Sequence, residues 1–453
     1  MNEEVMTAKR KNVIWIFGDQ HRGQALSCRG DINVNTPNLD RMAIDGQLYP
    51  NAVAGFPLCC PFRGSLITSK YPHQCVPGHE YPLPRGMQTI AHAFKDKGYE
   101  TTWLGKWHLG GWHEWKGRAA FYTMPKEDRG GFDTWIGYEN NNAQYDCWVH
   151  GHNNKGEEIE RYRLPGYETD SLTDILIDNL KEYGTKRKDG DDTPFFTSLS
   201  VQPPHDPYVA PAEYMGRHNP ASLTMRPNVP NVDRVQQRAR QELSGAYAMV
   251  ENIDYNIGRI LETLQNEGLA DDTYIIYFSD HGDMHGSHGQ FRKMTAYEES
   301  IRIPFIIYGG ESRYNCRHYQ PDAPINHVDI APTTLGICGI EKPDWMDGFD
   351  YSGLFLPGKT VENIPDSAYI QSVIPTGHGD SVDRPWRGIV TNDGWKYVCL
   401  EHQLWLMFNL NEDPYEQVNM ALNTGFNKKR KELQEKLKEW INKTNDTFIL
   451  PEL

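Results

Sequence analysis

Cys59 stands two residues before Pro61 and four before Arg63, in the run Phe56-Pro57-Leu58-Cys59-Cys60-Pro61-Phe62-Arg63-Gly64-Ser65-Leu66-Ile67-Thr68. Proline suits the first turn of a helix, and Leu66 and Ile67 can continue one. Cys59 then lies at the helix N-terminus, where free N–H groups and the macrodipole favour an anion. A thiol in that place has a lowered pKa and can act as a nucleophile, with Arg63 one turn on along the same side. The plainer alternative is a buried structural thiol, the usual fate of a lone cysteine.

Four further polar clusters each follow a run of strand-like residues. They are Gly18-Asp19-Gln20-His21, Gly105-Lys106-Trp107-His108, Pro203-Pro204-His205-Asp206-Pro207 and Ser279-Asp280-His281-Gly282-Asp283. In open α/β sheets ligands bind beyond the carboxyl ends of strands, so four such clusters would converge on one edge. Asp19, Gln20, Asp280 and His281 offer three oxygen donors and one imidazole. That set suits one hard or intermediate divalent cation, such as Ca²⁺, Mg²⁺ or Mn²⁺, better than a structural zinc. Alternatively Asp19 caps a turn and Asp280 pairs with a lysine. His281, His285 and His288 would share a helical face as a zinc-like triad, but Gly282, Gly286 and Gly289 favour a loop there.

The elements that would position these groups alternate. Strands are expected near residues 12–17, 100–104, 194–201, 273–278 and 303–308. Helices are expected near 88–97, 168–183 and 235–267. This pattern predicts an α/β fold with a large, mostly parallel sheet flanked by helices. After the Pro- and Gly-containing stretch 356–366, runs 387–391 and 395–400 flank Asn392-Asp393-Gly394 and read as an antiparallel hairpin, followed by a surface helix at 427–443. A catalytic domain at 1–359 and a smaller C-terminal α+β domain with an antiparallel sheet at 360–453 are therefore expected.

At this point the chain resembles the type I sulfatases of the alkaline-phosphatase superfamily. Their Cys-x-Pro-x-Arg signature, followed by a helical Leu-x-Thr, is met by Cys59, Pro61, Arg63, Leu66 and Thr68. Thr36-Pro37-Asn38-Leu39-Asp40, Gly105-Lys106-Trp107-His108-Leu109-Gly110, Pro204-His205, Asp280-His281-Gly282 and Lys293 ahead of Tyr297-Glu298 also match. So does the tail Leu410-x-x-Asp413-Pro414-x-Glu416-x-x-Asn419. The match runs in order from about residue 12 to 420. The resemblance implies that a maturation enzyme oxidises Cys59, not Cys60, to formylglycine. One hydroxyl of its hydrate would attack sulfur, and the second would let the sulfated intermediate collapse. It further implies that Asp19, Gln20, Asp280, His281 and residue 59 hold the metal, and that Arg63 stabilises the diol. Lys106 and Lys293 would neutralise sulfate oxygens, His205 would protonate the leaving alcohol, and His108 would take the proton that triggers collapse.

This sequence departs from the family at three positions. Gln20 replaces a common second Asp, His281 replaces a common Asn, and Phe62 replaces a small Ser or Ala. The Asp-Gln and Asp-His pairs also resemble choline sulfatases and phosphonate monoester hydrolases. A phosphonate monoester or phosphodiester hydrolase, or a choline-sulfatase-like enzyme, is therefore the alternative, and a non-catalytic glycan- or anion-binding relative a third. Lys106 favours sulfate. Trp103, Trp107, Trp112 and Trp115 crowd the Lys106 loop, with Trp135 and Trp148 further on. Core packing is the ordinary fate of a tryptophan, but exposed faces stack on sugars, so a small carbohydrate sulfate is the expected substrate, with aryl sulfates as a side activity.

The whole-chain numbers frame this reading. The 453 residues carry 46 Lys and Arg against 61 Asp and Glu, a net charge of −15. With 12 Trp, 24 Tyr and 16 Phe the chain is no disordered tail, and its acidity argues against nucleic acid as a partner. Eight cysteines make no disulfide scaffold; Cys28, Cys75, Cys147, Cys316, Cys338 and Cys399 are scattered and read mostly as buried small hydrophobes. No run approaches a membrane span, and the polar start at residues 1–11 with the short apolar run behind it lacks the pattern of a signal peptide. The expected location is the cytoplasm, or the periplasm or exterior if a leader has been trimmed.

Overall fold

The structure is a computed structural model that describes residues 10–310, 322–359, 361–377 and 382–453. Cys316 and most of the polar N-terminal run lie outside the described residues. Nine strands form the large sheet: β1 (Asn12–Gly18), β2 (Gln47–Leu48), β3 (Glu100–Lys106), β4 (Thr134–Tyr138), β5 (Trp148–His152), β6 (Glu158–Arg163), β7 (Phe195–Ser200), β8 (Thr273–Ser279) and β9 (Phe305–Gly309). Their order is β2-β9-β8-β1-β7-β3-β4-β5-β6. The core, β8-β1-β7-β3-β4, is parallel throughout. The remaining pairings, at both edges, are antiparallel.

The five strands expected from sequence are all present, although β9 runs antiparallel to β8. β4 to β6 carry no strong apolar run, and the residues of β6 are mostly exposed, which explains why the pattern did not disclose them.

Alternation along β1 divides the core in two. Val13, Trp15 and Phe17 pack with the helices Cys59–Thr68, Ile90–Lys95 and Ile330–Ile337. Ile14 and Ile16 pack on the other face with Pro37–Asp45, Glu168–Lys188 and Asp233–Asn266. Successive side chains of a strand point to opposite faces, so a sheet covered on both sides needs strands that are apolar throughout. β1 and β8 are buried at every residue. The helix expected at 88–97 is shorter than its pattern, Ile90–Lys95, and the one expected at 168–183 runs on to Lys188.

The second sheet, β10 (Ser367–Ser372), β11 (Trp386–Thr391), β12 (Trp395–Leu400) and β13 (Gln403–Asn409), is antiparallel and consecutive. β11 and β12 are the expected hairpin, and Gly394 in its turn takes φ +85°. Tyr369, Ile389, Tyr397 and Met407 pack on Leu433, Leu437 and Ile441 of the helix Asn427–Lys443. Ile370, Trp386, Val398 and Phe408 face the large unit through Val53, Ala296 and Ile301. No helix among the described residues is long and apolar enough to cross a membrane.

Candidate active site

Every polar cluster predicted from sequence lies beyond the carboxyl end of a core strand: Asp19 and Gln20 after β1, His108 after β3, His205 after β7, Asp280 and His281 after β8, with Lys106 as the last residue of β3. The placement of Lys106 depends on the residue before it. Gly105 has φ +96°, and a Cβ there would sit 2.0 Å from the Ser200 carbonyl oxygen of the neighbouring strand. Only glycine satisfies both conditions. Gln20 (φ 74°) and His108 (φ 56°) also occupy the left-handed region. That conformation costs a non-glycine residue about 1–3 kcal/mol and persists where the surroundings impose it.

Cys59 is the first residue of the helix Cys59–Thr68, as the sequence predicts, and all ten residues of that helix are buried. Its Sγ lies 3.4 Å from Asp19 Oδ1, 3.2 Å from His281 Nε2 and 3.4 Å from Lys293 Nζ. Arg63 reaches back from the next turn. Its Nη2 donates to Asp19 (3.4 Å) and Asp280 (3.2 Å), and its Nη1 to the Lys106 carbonyl (2.9 Å) and Ser200 Oγ (2.7 Å). The Lys106 ammonium donates to Asp19 Oδ2. Lys293 donates to Gln20 Oε1 (3.0 Å) and His205 Nε2 (2.8 Å) as well as to the thiol. Three cations thus face two carboxylates around one sulfur.

The charged groups here are almost fully buried, so their neighbours act on them strongly. Burial alone would raise the Asp19 carboxyl, but the Lys106 and Lys293 ammonium groups hold it well below the usual range. Burial opposes a charge on Lys293, yet Cys59 and Asp19 raise it above its ordinary value. Burial and the Lys293 ammonium push His205 down to about 3. Burial and Lys106 likewise depress His108. Both histidines are therefore neutral near pH 7 in this arrangement.

Ligand atoms of Asp19, Cys59, Asp280 and His281 all lie within 4.8 Å of one another. His281 Nδ1 donates to the Gly282 carbonyl at 2.9 Å, which turns Nε2 toward the group. Two buried carboxylates with one oriented imidazole fit a divalent cation that prefers oxygen. Gln20 stands beside this group with its amide oxygen turned to Lys293 and its nitrogen donating to Asp283 Oδ2 (2.6 Å). The three histidines 281, 285 and 288 do not converge. His285 lies by Asp283, and His288 stacks on Tyr297 with ring centroids 4.0 Å apart.

Sequence reasoning passed over several supports. Asp283 accepts from Gln20, from the Tyr208 hydroxyl and from the backbone of His285 and Arg292. It lies in the same polar cluster as Asp280, which was its available signal. Ser200 and the pairing of the His79 and His108 rings, 5.9 Å apart, had none. Trp103, Trp107 and Trp135 are fully buried core residues, whereas Trp115 is 79% exposed.

A family model described as Sulfatase matches residues 11–340, and one described as N-sulphoglucosamine sulphohydrolase, C-terminal, matches residues 286–443. The Ulvan-active sulfatase of Formosa agariphila is 34% identical over 97% of this chain and 82% of its own length. The chain belongs to the sulfatase family. The N-acetylglucosamine-6-O-sulfatase of Bacteroides thetaiotaomicron is 27% identical over 97% of this sulfatase and 87% of its own length. The solved structure of the yidJ protein of Bacteroides fragilis superposes with a TM-score of 0.82 at 27% identity, covering 97% of each chain. This sulfatase is a sulfuric ester hydrolase with the alkaline-phosphatase-like fold.

Proposed function

We propose that this sulfatase releases inorganic sulfate from a small sulfated saccharide, using formylglycine at residue 59 and one divalent cation. The observation that carries the proposal is the convergence of Asp19, His281 and Lys293 on the Cys59 sulfur at a helix N-terminus. The sugar-directed names of the two relatives support the substrate class.

Asp19, Asp280, His281 and residue 59 would hold the cation, which Ca²⁺ suits best, and the Gln20 amide oxygen would join them by giving up its contact with Lys293. When bound, the cation supplies Lewis acidity that makes a hydroxyl at residue 59 acidic. Formylglycine, formed by a maturation enzyme, adds one water to give a hydrate, which would supply that hydroxyl and a second one whose proton loss frees the sulfate. The rest falls to the chain's own residues. Arg63 fixes the two carboxylates and braces residue 59. Lys106 and Lys293 present ammonium groups to the sulfate oxygens, where charge shifts in the transition state.

His205 serves the leaving alcohol. Its Nδ1 donates to the Asp206 carbonyl at 2.8 Å, which leaves Nε2 as the nitrogen that would carry the proton to the alcohol once the Lys293 ammonium, its partner here, turns to the sulfate. His108, buried and neutral, accepts the proton whose removal releases sulfate.

Mass spectrometry of the tryptic peptide containing residue 59 tests the reading, together with sulfate release from an aryl sulfate and a saccharide panel. Formylglycine at 59 and loss of activity in Cys59→Ala are expected. Fully active protein carrying only the thiol sinks the mechanism, and a large kcat/KM excess for a phosphodiester overturns the choice of sulfate.

A further inference from the structure

Single exposed apolar side chains are ordinary, so exposure alone does not mark Trp115. Its surroundings do. Among the described residues it is the only strongly exposed tryptophan, at 79%. It is joined to a residue of the candidate site through an unbroken series of side chains. The His108 ring meets the His79 ring, and His79 Nε2 lies 3.6 Å from Glu80 Oε1. The other oxygen of Glu80 accepts from His113 Nδ1 at 2.6 Å, and the His113 ring stacks on Trp115 with centroids 5.8 Å apart.

The loop that presents the indole is built rather than loose. Glu80 Oε1 accepts the Glu114 backbone N–H at 3.0 Å, and Asn140 Nδ2 donates to Glu114 Oε1 at 2.9 Å. Lys116 N donates to the His113 carbonyl at 2.9 Å, closing the turn that carries Trp115. Lys116 Nζ lies 5.2 Å from the centre of the indole. An exposed indole with an ammonium over its ring, joined by side chains to a histidine of the candidate site, suits a sugar ring bearing an acidic group.

We propose that Trp115 is the platform of a second saccharide subsite, on which the ring next to the sulfated one stacks, with Lys116 serving an acidic substituent of that ring. The proposal rests on the saccharide reading above and adds that the substrate has at least two rings.

The test compares sulfated tetrasaccharides prepared from ulvan and from chondroitin sulfate with 4-nitrophenyl sulfate, which has no second sugar. In Trp115→Ala the kcat/KM ratio of cleaved tetrasaccharide to aryl sulfate should fall about tenfold, through KM rather than kcat, while Trp115→Phe should recover most of it. A ratio that moves by less than about twofold, or a loss carried by kcat, overturns the subsite and leaves the saccharide reading standing. Aryl sulfate cleavage by the parent protein with no sulfate released from any tetrasaccharide overturns the saccharide reading and the subsite with it.

Discussion

Lys293 makes three contacts that no other side chain of the site combines: the Cys59 sulfur, the Gln20 amide oxygen and His205 Nε2. Removing it would leave the anion-binding side short of one buried cation and His205 Nε2 without its hydrogen-bond partner. Lys293→Ala should therefore lower kcat by about 10²–10³ in a sulfate-release assay, the usual cost of deleting one transition-state donor. Lys293→Arg should recover little, because a planar fork does not replace a compact ammonium reaching three acceptors. A change confined to KM would show that Lys293 only binds substrate. At this scale the sequence disclosed residues lying next to a strand end or inside a motif, such as Asp19, Lys106 and Asp280. It disclosed less well groups that reach the site from afar. Ser200, inside β7, reads as an ordinary strand residue, and His79 acquires meaning only when its ring meets His108.

The element that carries Cys59 depends on a packing contact that departs from the family pattern. Phe62 stacks on His327 with ring centroids 4.9 Å apart, and Gly55 N donates to His327 Nδ1 at 2.6 Å. Burial lowers His327 to about 3, from an ordinary value of 6.5 in the unfolded chain. Between these values the unfolded chain binds more protons than the folded one. The contribution of this group is therefore complete above pH 6.5 and is lost as pH falls toward 3. From pH 7 to pH 5 the loss should be about 2 kcal/mol. His327→Asn, which keeps an acceptor for Gly55, should be less stable at pH 7 yet flatten the fall. Urea unfolding at both pH values measures this, and an unchanged slope in the variant would reject it. The core strands and long helices were legible because burial on both sheet faces demands apolar runs and 3.6-residue periodicity. The edge strands β5 and β6 were not, since their partners rather than their composition define them.

The net charge of −15 and the buried cations of the site act at different ranges. Arg63, Lys106 and Lys293 are each at most 5% exposed, so they attract an anion only near contact. The acidic envelope acts at a distance and repels a densely sulfated chain before those cations can act. Raising salt from about 0.01 M to about 0.15 M shortens the screening length from about 30 Å to about 8 Å and should weaken this repulsion. Accordingly kcat/KM for an intact, highly sulfated polymer should rise about two- to fivefold over that range, while the value for a singly charged aryl sulfate changes less than about twofold. Initial rates at low substrate across a salt series give both numbers. A steep fall for the polymer would instead show that a local basic surface steers it despite the negative whole. The predicted asymmetry ties molecular charge to substrate size: such a molecule should turn over short sulfated saccharides more readily than the polymers they come from.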